Sequence, residues 1–130
     1  MSEADAAHVD LIGVGQCSID HVCSVEGLPP LGGKDAMLAY ELLPGGQIAT
    51  AVLAAVRLGL RGAYVGTVGS DPQADLALAP LAAAGVALDG VRRVPGASTR
   101  LAVILVDRAS GERTVLGYRD PRLGLRPDEV

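Results

Sequence analysis

The chain opens on a short apolar run, Val9 to Val14, closed by Gly15, the pattern of a buried first strand. Ser18 to Val25 places Ile19, His21 or Val22, and Val25 in alternation and is rich in β-branched residues, so it reads as extended. The GLPPLGG stretch from Gly27 to Gly33 is loop by composition, and Ala36 to Leu43 fits strand or helix, with propensity favouring helix. Pro44-Gly45-Gly46 is a sharp break. Beyond it Ile48, Val52 and Val56 recur every fourth residue with Ala51 and Ala55 beside them, which predicts a helix over Gln47 to Leu58. Only Gln47, Thr50 and Arg57 are polar there, so most of its surface is expected to be buried, and Gly59 is its natural stop. Ala63 to Val68 reads as a strand. Pro72 to Ala84 reads as a second helix, with Pro72 in the first turn where its missing N–H is harmless, and Gly85 ends it. Thr99 to Asp107 carries the strongest strand pattern. Ala109-Ser110-Gly111 turns it back into Glu112 to Tyr118, a hairpin. Asp120 to Val130 has no settled period, and Asp128 is placed to begin another helix.

Strands alternating with helices imply an α/β fold with a mostly parallel sheet. The extended arms that interrupt the alternation imply a second, smaller sheet.

Composition narrows the picture. At 130 residues the chain suffices for one compact domain. Hydrophobic residues make up 49% and aromatics only 2%, so the core is built from Ala, Val, Leu and Ile, side chains suited to close helix-on-sheet packing. Net charge is −4 and no basic stripe with interleaved aromatics is present, which argues against a nucleic-acid surface. Cys17 and Cys23 read as two reduced thiols, and His8 and His21 supply no zinc-ligand spacing with them. The start, Met1 to Asp5, is acidic where an exported leader is basic and then apolar. The longest apolar stretch, Leu76 to Leu88, is broken by Pro80 and Gly85 and is too short to span a bilayer. A soluble, cytoplasmic protein with no membrane partner is expected.

Two glycine motifs invite a chemical reading. Gly13-Val14-Gly15 after a first strand suggests a dinucleotide-binding fingerprint, but the third glycine position is Ser18 and the following segment is extended, not helical. Gly33-Lys34-Asp35 lacks the Ser or Thr of a phosphate-cradling loop. Gly45-Gly46 is either an ordinary turn before a core helix or a place where a ligand meets bare backbone at a helix start. Spacing alone leaves both open.

The order of motifs resembles the ribokinase-like (PfkB) carbohydrate kinases. Gly45-Gly46 leading through an alanine-rich helix to Arg57-Leu58-Gly59 has the form of that family's first signature. Ile12 to Asp20 (IGVGQCSID), Ala63 to Asp71 (AYVGTVGSD), Ala84-Gly85-Val86 and Ser98 to Val106 follow the family's landmarks in order, over essentially the whole chain. The resemblance implies a doubly wound α/β sheet, here partial, with a small β-sheet lid over the sugar. The lid would be formed by segments at about 17–43 and 97–119, which makes Ala36 to Leu43 a lid strand. It implies that residues 1–130 are the N-terminal, substrate-binding part of a kinase for a hydroxyl of a sugar, sugar acid or nucleoside. Asp20 matches the carboxylate that accepts sugar hydroxyls, Ser18 falls where many members have Asn, and Gly45 and Gly46 match the backbone platform. Thr50 stands at a common Asn position, and Ala102 and Ile104 match sugar-facing lid residues on one face with Arg100. Tyr118-Arg119 is similar to a feature of members acting on keto-deoxy sugar acids, where Arg pairs with a carboxylate, while a surface Arg at a strand end stays open. The lid is a dimer interface in many members, so a homodimer is an expected partner state. ATP and Mg2+ are the family's cofactors. The Gly-Ala-Gly-Asp motif that supplies the catalytic base does not occur among these residues, so no catalytic residue, no tight ATP or Mg2+ binding and no activity are expected of this chain alone. A non-catalytic sugar-binding or regulatory module and a Rossmann-type nucleotide-binding fragment are the alternatives.

Overall fold

The computed structural model describes residues 8–130, so the acidic start at Met1 to Asp5 lies outside the described residues. In chain order the elements are β1 (Leu11–Val14), β2 (Ser18–Val25), β3 (Ala39–Gly45), α1 (Gln47–Arg57), β4 (Gly62–Gly69), α2 (Pro72–Ala83), β5 (Ala87–Val94), β6 (Leu101–Asp107) and β7 (Arg113–Tyr118). A 3-10 turn, Pro127–Glu129, stands where a helix from Asp128 was expected.

β1, β4 and β5 form a parallel sheet with β4 in the middle. α1 packs on β1 and β4, α2 packs on β4 and β5, and the helices touch each other, so both cover one face. Tyr64, Val68, Val52, Ala74, Ala77 and Leu81 form the heart of that layer. Burying each larger aliphatic side chain contributes about 1.5–3 kcal/mol. On the opposite face Ile12 and Val14 are exposed.

Strand glycines let α1 approach. A methyl on Gly62 would come within 2.7 Å of Val56 Cγ2, and one on Gly13 would collide with Val52 and Ile48. Gly15 likewise faces Ile48. The Gly13-Val14-Gly15 pair is therefore filled from above by the helix stripe that the periodicity predicts.

Three expectations need correction. α1 buries only Ala49 and Val52 fully, and Ala51 and Ala54 are exposed. Alanine carries no polar group to mark an outward face, so the sequence overstated the buried surface. β3 runs later than Ala36 to Leu43, through Pro44 into Gly45. It is an edge strand paired only with β2, where proline's missing N–H forfeits no ladder bond. β5 was not anticipated, because Asp89, Gly90, Arg92 and Arg93 obscure its alternation.

The second sheet is mixed, in the order β3-β2-β6-β7, with β2 and β6 parallel and both outer pairs antiparallel. The base of β2 and β3 rests against α2. No helix among the described residues is long and apolar enough to cross a membrane.

Candidate functional site

Register across the second sheet arranges one face in rows. Ser18 lies opposite Gly45, and Asp20 lies between Leu43 of β3 and Ala102 of β6. Ala102 is opposite Gly117 of β7, and the next row along is Val22, Ile104 and Val115. Side chains alternate faces along a strand, so these groups share one surface. Small residues beside Asp20 leave a hollow, and the apolar row forms its far wall. The hollow opens into a cleft of about 490 Å³ bounded by Ser18, Asp20, Ala102 and Ile104 on the sheet and by Gly46 and Gln47 at the start of α1. That volume lies within the range of small-molecule sites, roughly 300–1,000 Å³.

The glycine pair serves two different steric needs. A side chain on Gly45 would come within 2.6 Å of Cγ and Oδ1 of Asp20, so the bare backbone admits the protein's own carboxylate. Ser18 Oγ donates to Asp20 Oδ1 at 3.1 Å and helps orient it. Gly46 has φ +98°, in the region that favours glycine, and a side chain there would meet the Gln16 carbonyl at 2.6 Å. The helix start is thus pressed against the chain entering β2, and the Gln16 carbonyl accepts the Ala49 N–H at 3.3 Å.

Two carboxylates pin the connections of β6 and β7 to the first sheet. Asp71 caps α2 by accepting the Ala74 N–H at 3.1 Å, and also accepts from the Thr99 N–H at 2.7 Å and Thr99 Oγ1 at 2.5 Å. Burial alone would raise its pKa, but these bonds outweigh burial and hold it below the ordinary carboxylate value. Asp120 is buried and grips Arg122 twice, at 2.9 and 2.6 Å, while accepting the Ser98 N–H at 3.0 Å. The Arg122 side chain, then backbone N–H donors, hold the Asp120 carboxyl far below its usual range. Thr67 Oγ1 donates to the Leu123 carbonyl at 2.9 Å. Residues 98–100 and 119–123 are thereby fixed together, and Arg100 and Arg119 project from them toward the cleft.

Arg100 donates to Gln16 Oε1 at 2.7 Å and Arg119 lines the same cleft. Burial first, then the nearby Arg119 charge, pulls the Arg100 pKa down.

Of the residues singled out in the sequence, Ser18, Asp20, Gly46, Ala102, Ile104 and Arg119 come together around this cleft. Gly45 and Thr50 do not line it; they border a separate cavity of about 30 Å³ beside Ala77 and Pro80. Gln16, Gln47 and Arg113 also line the cleft and were not singled out. Period-two spacing from Gly117 and Arg119 would have flagged Arg113, whereas nothing in the local sequence marks Gln16 or Gln47.

Comparison with known proteins agrees with this architecture. The pfkB family carbohydrate kinase profile matches residues 10–130. A fructokinase of Solanum tuberosum is 34% identical over 122 residues, covering 92% of this chain and 37% of its own length. An ATP-dependent ribose-1-phosphate kinase of Halopiger xanaduensis is 31% identical over 122 residues, covering 94% of this chain and 41% of its own. Among solved structures, Arabidopsis thaliana ribokinase complexed with ribose and ATP superposes with a TM-score of 0.75 at 27% identity, over 85% of this chain and 36% of that one. Fructokinase from Xylella fastidiosa gives 0.72 at 32% identity, over 92% and 35%. The chain thus spans well under half the length of these relatives. With its two-sheet α/β architecture, a partial ribokinase fold, it belongs to the pfkB family of carbohydrate kinases.

Proposed function

We propose that this chain is the substrate-binding part of an ATP-dependent sugar kinase, with the second sheet acting as a lid over the sugar. The observation that carries the reading is Asp20, held over Gly45 with Ala102 and Gly117 leaving open space beside its carboxylate. An ionised carboxylate accepts from more than one hydroxyl, which suits a polyol. Ile104 and Val115 offer an apolar wall to the carbon face of a sugar ring, and Gly46 and Gln47 bring the start of α1 against its other side.

Phosphoryl transfer depends on positioning and on stabilising charge around the transferring group. ATP would supply that group, with Mg2+ balancing its charge. Among the described residues no three His, Cys, Asp or Glu side chains converge to hold a metal. In this reading the cleft takes the acceptor, and the base, the metal contacts and the adenine site would be supplied by residues of the kinase outside this cleft. This chain's contribution is to bind the acceptor, orient its hydroxyl and exclude water from one side. A homodimer through the lid is favoured by Leu42, Val103 and Leu116, aligned in register on the face opposite the cleft, with Leu42 and Leu116 exposed.

A thermal-shift screen of the chain with fructose, ribose, nucleosides and sugar acids, paired with a phosphoryl-transfer assay using ATP and Mg2+, tests the proposal. Stabilisation by at least one of these compounds without product formation is expected. No stabilisation by any of them, or turnover by the chain alone, would contradict it.

A further inference from the structure

Tyr64 is the largest fully buried side chain, in a chain that has no Phe and no Trp. A plain aromatic ring would supply the same apolar packing, whereas a buried polar group left without a partner costs about 1–3 kcal/mol. The partner lies outside the core: the Tyr64 hydroxyl donates to the Gly15 carbonyl at 2.7 Å. Burial raises the phenol's pKa well above its ordinary value, so the group stays an O–H donor. Gly66 makes room for the contact, since a methyl there would strike the Tyr64 hydroxyl and lie 2.6 Å from the Gly15 carbonyl oxygen. No backbone N–H among the described residues pairs with that carbonyl.

Gly15 is where the chain leaves the parallel sheet for the second sheet, in which β2 begins at Ser18. The Gly15 N–H still donates to the Val65 carbonyl at 3.0 Å, as an extension of the β1–β4 ladder. Its φ of +152° is one that side chains rarely adopt, and glycine leaves this link free to rotate. The direction of the carbonyl fixes the direction in which the chain departs, and Tyr64 holds that carbonyl. Further along, the Gln16 carbonyl accepts the Ala49 N–H, and the Cys17 thiol lies 3.6 Å from the Ala77 carbonyl. β2 then delivers Asp20 into the space above Gly45, where its Cγ would be only 2.6 Å from a methyl. A carboxylate seated that closely depends on the angle at which its strand arrives, and a binding group works only within a narrow tolerance of its productive geometry.

We infer that Tyr64 is a positioning residue for the sugar site: its hydroxyl fixes the Gly15 carbonyl, and with it the angle at which β2 brings the Asp20 carboxylate to the cleft. This rests on the reading of the cleft as a sugar site. Tyr64 does not line the cleft and acts through Asp20.

A double-mutant cycle read by calorimetric titration tests this. The native chain, Tyr64→Phe, Asp20→Asn and the double variant are each titrated with fructose, ribose, adenosine and gluconate. Tyr64→Phe removes the hydroxyl and keeps the ring in its packing. It is expected to weaken binding about five-fold or more, but only about two-fold or less where Asp20 is already Asn. Gly66→Ala displaces the hydroxyl by another route and is expected to show the same loss and the same dependence on Asp20. Urea unfolding and circular dichroism of each variant separate positioning from packing. Lowered stability with unchanged affinity in Tyr64→Phe and Gly66→Ala would make Tyr64 a structural residue only and overturn the inference. Equal losses with and without the Asp20 carboxylate would overturn it too, because the hydroxyl would then not act through Asp20. In both cases weaker binding by Asp20→Asn leaves the sugar site standing. Failure of the native chain to bind any of the four compounds would overturn the sugar-site reading, and this inference with it.

Discussion

The carboxylate of Asp20 fills the volume that a side chain on Gly45 would need. The two residues are on neighbouring strands, with Ser18 directly opposite Gly45 and Asp20 one row further along. In Gly45→Ala the new methyl would lie 2.6 Å from Cγ of Asp20, so the carboxylate must swing away. The expected outcome is a loss of sugar affinity comparable to that of Asp20→Asn, with a stability cost of about 1–3 kcal/mol for overpacking. Titration calorimetry and urea unfolding of the same variant measure the two effects separately. A variant that keeps full affinity would show that the contact does not position Asp20.

Gly13 makes a different prediction. Its strand passes under Val52 and Ile48 of α1. Gly13→Ala is expected to destabilise the fold by about 1–3 kcal/mol or more through overpacking. Equilibrium urea unfolding reads this directly, and a change below 0.5 kcal/mol, the ordinary surface range, would argue against the close helix-on-strand contact.

Asp120 predicts a pH dependence. Its folded-state pKa is depressed, chiefly by Arg122, so its stabilisation is fully present above the unfolded carboxylate value of about 4 and is lost as pH falls through the lower folded value. The Asp71 carboxyl, also lowered, acts in the same sense. Melting temperature is therefore expected to fall as the pH drops below about 4. Asp120→Asn is expected to lower it at pH 7 and to flatten the acid limb. A variant with the native acid limb would remove Asp120 from the account.

Cys17 tests burial of the join between the two sheets. The thiol is 1% exposed, and burial pushes its pKa to about 11. The thiolate is the reactive form, so at pH 8 Cys17 is expected to react with a disulfide reagent only at the rate of unfolding. Rapid labelling of Cys17 in the native protein, located by mass spectrometry, would contradict this packing.

Leu116 tests the proposed pairing of lids. It is 60% exposed and stands beside Val103 on the face away from the cleft. Sedimentation velocity is expected to show a dimer that Leu116→Lys converts to monomer. A native chain that stays monomeric at every concentration would refute the dimer.

The sequence carried the layered core well, because α1 and β4 advertise their periods. Ile48, Val52 and Val56 repeat every four residues, and the stripe they form does face the sheet. It failed at β5, where Arg92 and Arg93 are tolerated because the strand sits at a sheet edge and Arg92 reaches the Gly124 carbonyl and Glu129. For the site, Asp20 and the glycine pair drew meaning from the order of motifs rather than from local chemistry. That Gly45 accommodates Asp20 is invisible in sequence, since it depends on the β2–β3 register. Gln16 and Gln47 reach the cleft only through the way the chain enters β2 and α1.

The central claim is that Asp20 holds the hydroxyls of a bound sugar. Its most direct test is calorimetric titration of the chain and of Asp20→Asn with the best-stabilising sugar of the thermal-shift screen. Hydrogen bonds to a charged group are each worth about 1.5–3 kcal/mol, so the replacement is expected to weaken binding roughly 10- to 150-fold while circular dichroism stays native. Unchanged affinity in a folded Asp20→Asn protein would contradict the account.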